Sequence, residues 1–333
     1  MAEQNKSRDY LFDNYKTLLI FLVVVGHFTG PSTKCNDFLL VIKWIIVSFH
    51  MPAFVFVSGY FSKKELPLRT IVQRLLIPYL VYEIFYFLLY TVILHQKTSL
   101  LFLEPKFTLW YLLALCFWRI LTPYVKKIPY YMVWSVLAGL MIGCTGIKDG
   151  FLTIPRALVF YPFYLAGTRF QKETLQKLRT GRTKFLAFGC ILALVVFLGF
   201  LALQSKVPMQ IFYGRYNYHT MKQGMWEGLF CRIISYLIGS LWTFALMILI
   251  PENQNIFSYI GTRTMAIYLF HGLIYTYLNQ STGIFKNLNT PLETFGILAG
   301  CIAVTILFSF QPFTTFTNKI CNFYLPQKNN GTA

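Results

Sequence analysis

Stretches of about twenty apolar residues follow one another along almost the whole chain, separated by short polar connections, and this succession admits few folds. In lipid each backbone N–H and C=O must be paired within its own segment, so runs of this length become helices across a bilayer. Ten can be delimited, at 11–29, 38–62, 75–95, 108–125, 129–147, 152–171, 184–203, 225–250, 256–279 and 292–316. They predict an all-α, polytopic membrane bundle of about ten transmembrane helices. Composition agrees, since 56% of the residues are hydrophobic and 13% are charged, against roughly 25% charged in a soluble domain. No connection is long enough for a separate soluble domain, so residues 1–333 read as one membrane domain with a polar tail at 327–333. Any chemistry must then take place within the bundle.

The formal net charge is +18, which in a soluble protein would point to nucleic acid. Here the basic residues fall in alternate short connections, fifteen on one side against eight on the other. That asymmetry places both termini in the cytoplasm and removes the need for a nucleic-acid partner. Lys6 and Arg8 ahead of the first run resemble a signal peptide, but Thr29 to Cys35 offers no small-x-small cleavage site, so a retained span is expected. The seven cysteines form no Cys-x-x-Cys pair and have no histidine at ligand spacing. They read as small core residues, with no metal expected.

Within the first run, Asp13 to His27 carries the most informative pattern. Eleven steps of about 100° bring Lys16 and His27 onto one helix face, about 16 Å apart along the axis. Asp13 lies one turn before Lys16 and is placed to pair with it. Ionisable groups inside a span are costly and rarely face lipid, which makes this stripe a candidate site. Two plainer roles stay open: Lys16 extending to the inner interface, and His27 capping the outer end.

The second run places His50 near mid-membrane, with Pro52 expected to disturb the helix after it and Ser58-Gly59 permitting close helix approach. Further polar groups within runs are Glu83, Trp110, Arg156, Arg232 and His271. Buried charges tend to pair, so Glu83 with Arg156 or Arg232 is the expected bridge. Trp110 and Tyr111 offer rings for stacking a sugar or for an interfacial belt, as do Tyr213, Tyr216 and Tyr218 in the longest loop. Lys63, Lys64, Arg69 and Arg74 form a basic patch after the second run, open to a topological or a phosphate-binding reading.

These residues resemble the acyltransferase-3 family of integral-membrane O-acyltransferases, and its fucose 4-O-acetylase-like branch in particular. Lys16 to His27 matches the family's basic-x10-His signature, opened by Asp13-Asn14-Tyr15. The similarity continues through Phe49-His50-Met51-Pro52, Ser58-Gly59-Tyr60-Phe61, Leu109-Trp110-Tyr111-Leu112, Pro162-Phe163-Tyr164-Leu165-Ala166-Gly167 and Tyr268-Leu269-Phe270-His271, in order along nearly the whole chain. The chain departs at the Arg-x-Arg motif, because Arg69 and Arg74 are five apart.

The resemblance implies an enzyme that moves acetyl from cytoplasmic acetyl-CoA, as co-substrate, to a sugar hydroxyl of a capsule, exopolysaccharide or other envelope glycan at a bacterial plasma membrane. It places the essential histidine at His27, as general base or alternatively as a transient acyl carrier, and its basic partner at Lys16, which the one-turn spacing lets Asp13 orient. Donor binding falls to Arg74 and Arg69 on the resemblance and, with them, to Lys63 and Lys64 on the basic patch itself, while the polar groups within the runs put His50, Glu83, Trp110, Arg156 and His271 on the acceptor side or behind the reacting groups. The expected partners are acetyl-CoA, a glycan or lipid-linked glycan, membrane lipid and further copies in a homo-oligomer. Elementary chemistry agrees, since a hydroxyl attacking a thioester needs a base near neutrality and imidazole supplies one. A carrier or flippase that moves a glycan without acylating it is the alternative.

Overall fold

The computed structural model describes residues 9–147, 149–204 and 207–323. Lys6, Arg8, Lys148, Lys206, Lys328 and the tail 327–333 lie outside the described residues. Among those described, every regular element is helical. In chain order α1 spans Tyr10–Phe28, α2 Asp37–Tyr60, α3 Leu68–Ile93, α4 Trp110–Val125, α5 Tyr131–Cys144 and α6 Ile154–Arg169. There follow α7 Lys172–Leu178, α8 Gly181–Gln204, α9 Met225–Leu249, α10 Ile256–Gly261, α11 Thr264–Ser281, α12 Pro291–Phe308 and α13 Gln311–Cys321. Six of these, α1, α2, α3, α8, α9 and α12, are long and apolar enough to cross a membrane. The large apolar side chains of Phe185, Phe188, Val196 and Phe200 along α8 are exposed, as on a helix facing lipid.

The last two apolar runs are each broken. The stretch read as one span at 256–279 divides into α10 and α11, and that at 292–316 into α12 and α13. Phe310 is extended and Pro312 opens the first turn of α13, where a missing N–H costs nothing. One guanidinium ties the two breaks together: Arg263 donates to the Ser309 carbonyl and to Gln311 Oε1, each at 2.7 Å. The short α10 is held by a capping box between Asn255 and Ser258, and Ser258 also donates to Asn14 on α1 at 2.6 Å. At Gly261 an added Cβ would run into the Asp13 carbonyl, so α10 lies directly on the start of α1.

Helix α2 lies at the centre, against α1, α6, α8 and α9. Its closest approach is to α6, where a Cβ at Gly59 would meet the Tyr164 carbonyl and one at Gly167 the Phe56 carbonyl. Glycine inside a helix costs about 1 kcal/mol relative to alanine, offset here by backbone packing that no side chain would permit. The expected disturbance at Pro52 is not seen: α2 continues unbroken to Tyr60, with the proline ring against Gly239 of α9. Cys116 and Cys301 are buried as small core residues, whereas Cys35 and Cys144 are exposed, which corrects the uniform core reading.

Candidate active site

Helical periodicity builds the site from three faces. Lys16, Val23 and His27 of α1, spaced by seven and four residues, line one cavity of about 540 Å³. Opposite them α2 contributes Lys43, Val47, His50, Phe54 and Ser58, and Phe61 just past its end extends this stripe of three- and four-residue steps. Tyr111, Leu115 and Arg119 of α4, four residues apart, close the wall. Lys16 and His27 thus line the same cavity, and Asp13 holds the Lys16 ammonium at 2.9 Å.

His27 is half-buried, with its ring against Phe107 at 4.8 Å, His271 at 5.5 Å and Tyr275 at 6.1 Å between centroids. His271 is completely buried, and its Nδ1 lies 2.9 Å from the Ile267 carbonyl. A carbonyl only accepts, so Nδ1 carries the proton and Nε2 of the neutral ring is left as an acceptor without a partner among the described residues. His50, unlike His271, lines the cavity, and its ring is held in the same manner, with Nδ1 donating to the Ile46 carbonyl at 2.8 Å. Phe107 and Tyr275 stack at 5.1 Å and cover one side of His27 with apolar surface.

Glu83 pairs with neither Arg156 nor Arg232. Its partner is Lys106, whose backbone N–H reaches Oε1 at 2.6 Å and whose ammonium stands 3.6 Å from Oε2. The pairing rule held but its choice among helical residues did not, because residues 95–109 fold back onto the bundle and bring a loop lysine to a buried carboxylate. Glu83 therefore anchors the loop that carries Phe107, a residue in left-handed conformation with φ 47°. Arg156 pairs instead with Asp149, Nε–Oδ1 2.9 Å and Nη2–Oδ2 2.5 Å, and its guanidinium lies 4.3 Å from the Trp110 ring centre. Arg232 is buried behind the cavity and donates to the Ile211 carbonyl.

The cavity has two charged ends. At the Lys16 end the ammonium sits 5.2 Å from the Phe61 ring centre, and Arg119 donates to the Phe61 carbonyl at 3.2 Å. Lys63, Lys64, Arg69 and Arg74 are exposed around this end, with Lys63 over the Tyr60 ring at 4.2 Å and Leu75, next to Arg74, in the lining. At the His27 end Lys43 donates to the Gly26 carbonyl, adjacent to His27, and lies 6.0 Å from the Tyr213 ring centre. Tyr216, Arg215, Asp149 and Trp110 complete this mouth, while Tyr218 is buried and donates to the Leu140 carbonyl as a structural residue.

Lys43 and Arg119 are the site residues that sequence reasoning missed. Each is a lone cation inside an apolar run, the signal already used for Lys16 and Arg156. Lys43 moreover precedes His50 by seven residues, two helical turns on the same face.

A family model for an acyltransferase domain matches residues 9–310, which includes α1 to α12 and every residue of the cavity lining. No curated protein and no solved structure matches the chain. Among the described residues no group of three or more His, Cys, Asp or Glu is arranged to hold a metal ion.

Proposed function

From the premise that this chain belongs to the acyltransferase-3 family, and is therefore a membrane acyltransferase, we propose that it transfers acetyl from acetyl-CoA to a sugar hydroxyl of a cell-surface glycan. The observation that carries the reading is one cavity in which an accessible imidazole, His27, lies between a cationic end at Lys16 and Arg119 and a second, aromatic-lined end at Lys43 and Trp110.

In this reading both termini are cytoplasmic, ten segments cross the membrane, and the Lys16 end opens to the donor compartment. The exposed cations Arg74, Arg69, Lys63 and Lys64, with Arg119 inside the mouth, bind the phosphates of coenzyme A, for which guanidinium forks and ammonium groups are suited. The uncharged pantetheine arm runs along the α1–α2 stripe and delivers the thioester near His27. Lys16, fixed by Asp13, orders the entrance to that path.

His27 accepts the proton of the acceptor hydroxyl as its oxygen attacks the acyl carbon, forming the C–O bond. The C–S bond breaks, the proton passes to the departing thiolate, and an ester and free coenzyme A leave on opposite sides. His271 and the Phe107–Tyr275 stack hold the imidazole and limit water around it. Trp110 and Tyr111 present rings to the sugar.

The test is transfer of labelled acetyl from acetyl-CoA to envelope glycan in membranes that contain wild type or His27→Ala. Label should appear with wild type and fall to background with the variant at equal protein level. Unchanged label in the variant removes His27 as base, and export of glycan without any label supports the carrier reading.

A further inference from the structure

Resting on that acyl-transfer reading, we propose that the cavity mouth formed by Lys43, Arg156 and Arg215 recognises an acceptor that carries a negative charge, the carboxylate or phosphate of an acidic glycan. Among the described residues five cationic side chains line the cavity, Lys16, Lys43, Arg119, Arg156 and Arg215, against the one carboxylate of Asp149. Coenzyme A accounts for cations at the Lys16 end only. Its pantetheine arm and thioester are uncharged, so nothing in the donor calls for three cations at the opposite mouth.

Lys43 is the clearest excess. It sits inside the apolar helix α2, its ammonium donates to the Gly26 carbonyl, and no carboxylate among the described residues lies within ion-pair range of it. An ammonium withdrawn from water without a counter-ion is costly, and the cost falls when an anion enters beside it. Arg156 and Arg215 share Asp149, Arg156 through two contacts and Arg215 at 3.6 Å, so among the described residues one charge of this pair also stays uncompensated. Arg215 is about half-exposed, at 47%, and retains donors for an incoming ligand.

Aromatic rings accompany each cation. Trp110 lies under Arg156, Tyr216 is 5.1 Å from the Arg215 guanidinium, and Tyr213 is near Lys43. Rings beside fixed cations suit a pyranose that bears an acidic substituent, with the ring stacked and the anion held. The mouth adjoins Gly26 and His27, so an anchored acid sugar places a neighbouring hydroxyl at the proposed base.

The experiment measures calorimetric binding to the purified full chain in nanodiscs, without donor. The three probes are trigalacturonate, a glycerol-phosphate trimer and neutral galactotriose. At least one anionic probe should bind about tenfold or more tighter than galactotriose, with a preference that weakens as salt rises. Which anion binds tighter identifies carboxylate or phosphate as the ligand. Lys43→Gln and Arg215→Gln should each reduce the preference severalfold while eluting as the wild type does, and Lys43→Arg should keep most of it. Equal affinity for neutral and charged probes, no binding of any, or a preference untouched by both glutamine variants overturns the proposal. Absence of acetyl transfer in the presence of this preference would count against the proposed reaction alone.

Discussion

The rings of His27 and His271 lie with centroids 5.5 Å apart, one in the cavity and the other sealed behind it. His271 is fixed through Nδ1 to the Ile267 carbonyl, so its position in turn limits where the His27 ring can rest. His271→Phe should preserve packing but lower kcat about tenfold with little change in donor KM. His271→Asn, which keeps a donor toward Ile267, should retain more activity than the phenylalanine variant. Equal loss in both would assign His271 to packing only, and steady-state kinetics in nanodiscs separates the cases.

Glu83 tests the loop anchor. Glu83→Ala leaves the Lys106 N–H and ammonium without their partner and should destabilise the protein by about 3 kcal/mol. Glu83→Gln keeps an acceptor for the N–H and should cost about half as much. Thermal melts followed by detergent-phase size exclusion give the ranking. Acyl transfer should fall in the same order, because Phe107 moves with this loop.

Close helix approach gives a steric prediction. Gly59→Ala and Gly167→Ala each place a methyl group against a carbonyl of the partner helix and should cost well over 1 kcal/mol or abolish folded protein. Gly199→Ala, whose added carbon meets only the Val41 side chain at 3.7 Å, should be neutral or slightly stabilising. Fluorescence-detected size exclusion of the three variants checks the contrast.

At the donor end Arg119→Gln should raise the acetyl-CoA KM about tenfold, because this guanidinium lies in the cavity lining. Arg74→Ala, at an exposed position, should raise it less, and by an amount that shrinks at high salt. Initial rates across donor concentration at two ionic strengths measure both.

The stripe on α1 was legible because helical period alone relates Lys16 to His27, and the Asp13 pair because both residues sit on one turn. Gly59 was legible as a contact for the same local reason. The partner of Glu83 was not, since Lys106 reaches it through a loop whose return path leaves no mark in local periodicity. Arg156 escaped for the complementary reason: Asp149, seven residues earlier, precedes α6 and lies off the helical pattern. The breaks near Thr262 and Ser309 had signals in Gly261 and Pro312, but each lay within an apolar run long enough to read as one span.

The imbalance of charge in the lining has a further physical effect. Were the cavity that Lys16 and Arg215 both line to fill with water, small ions could enter it. Asp13 balances Lys16 and Asp149 balances one of Arg156 and Arg215, so among the described residues the excess positive charge rests on Lys43, Arg119 and one guanidinium of that pair, and it disfavours hydronium and sodium in the cavity. The same side chains that make the cavity receptive to an anionic ligand thus make it unfavourable to small cations when no ligand is bound.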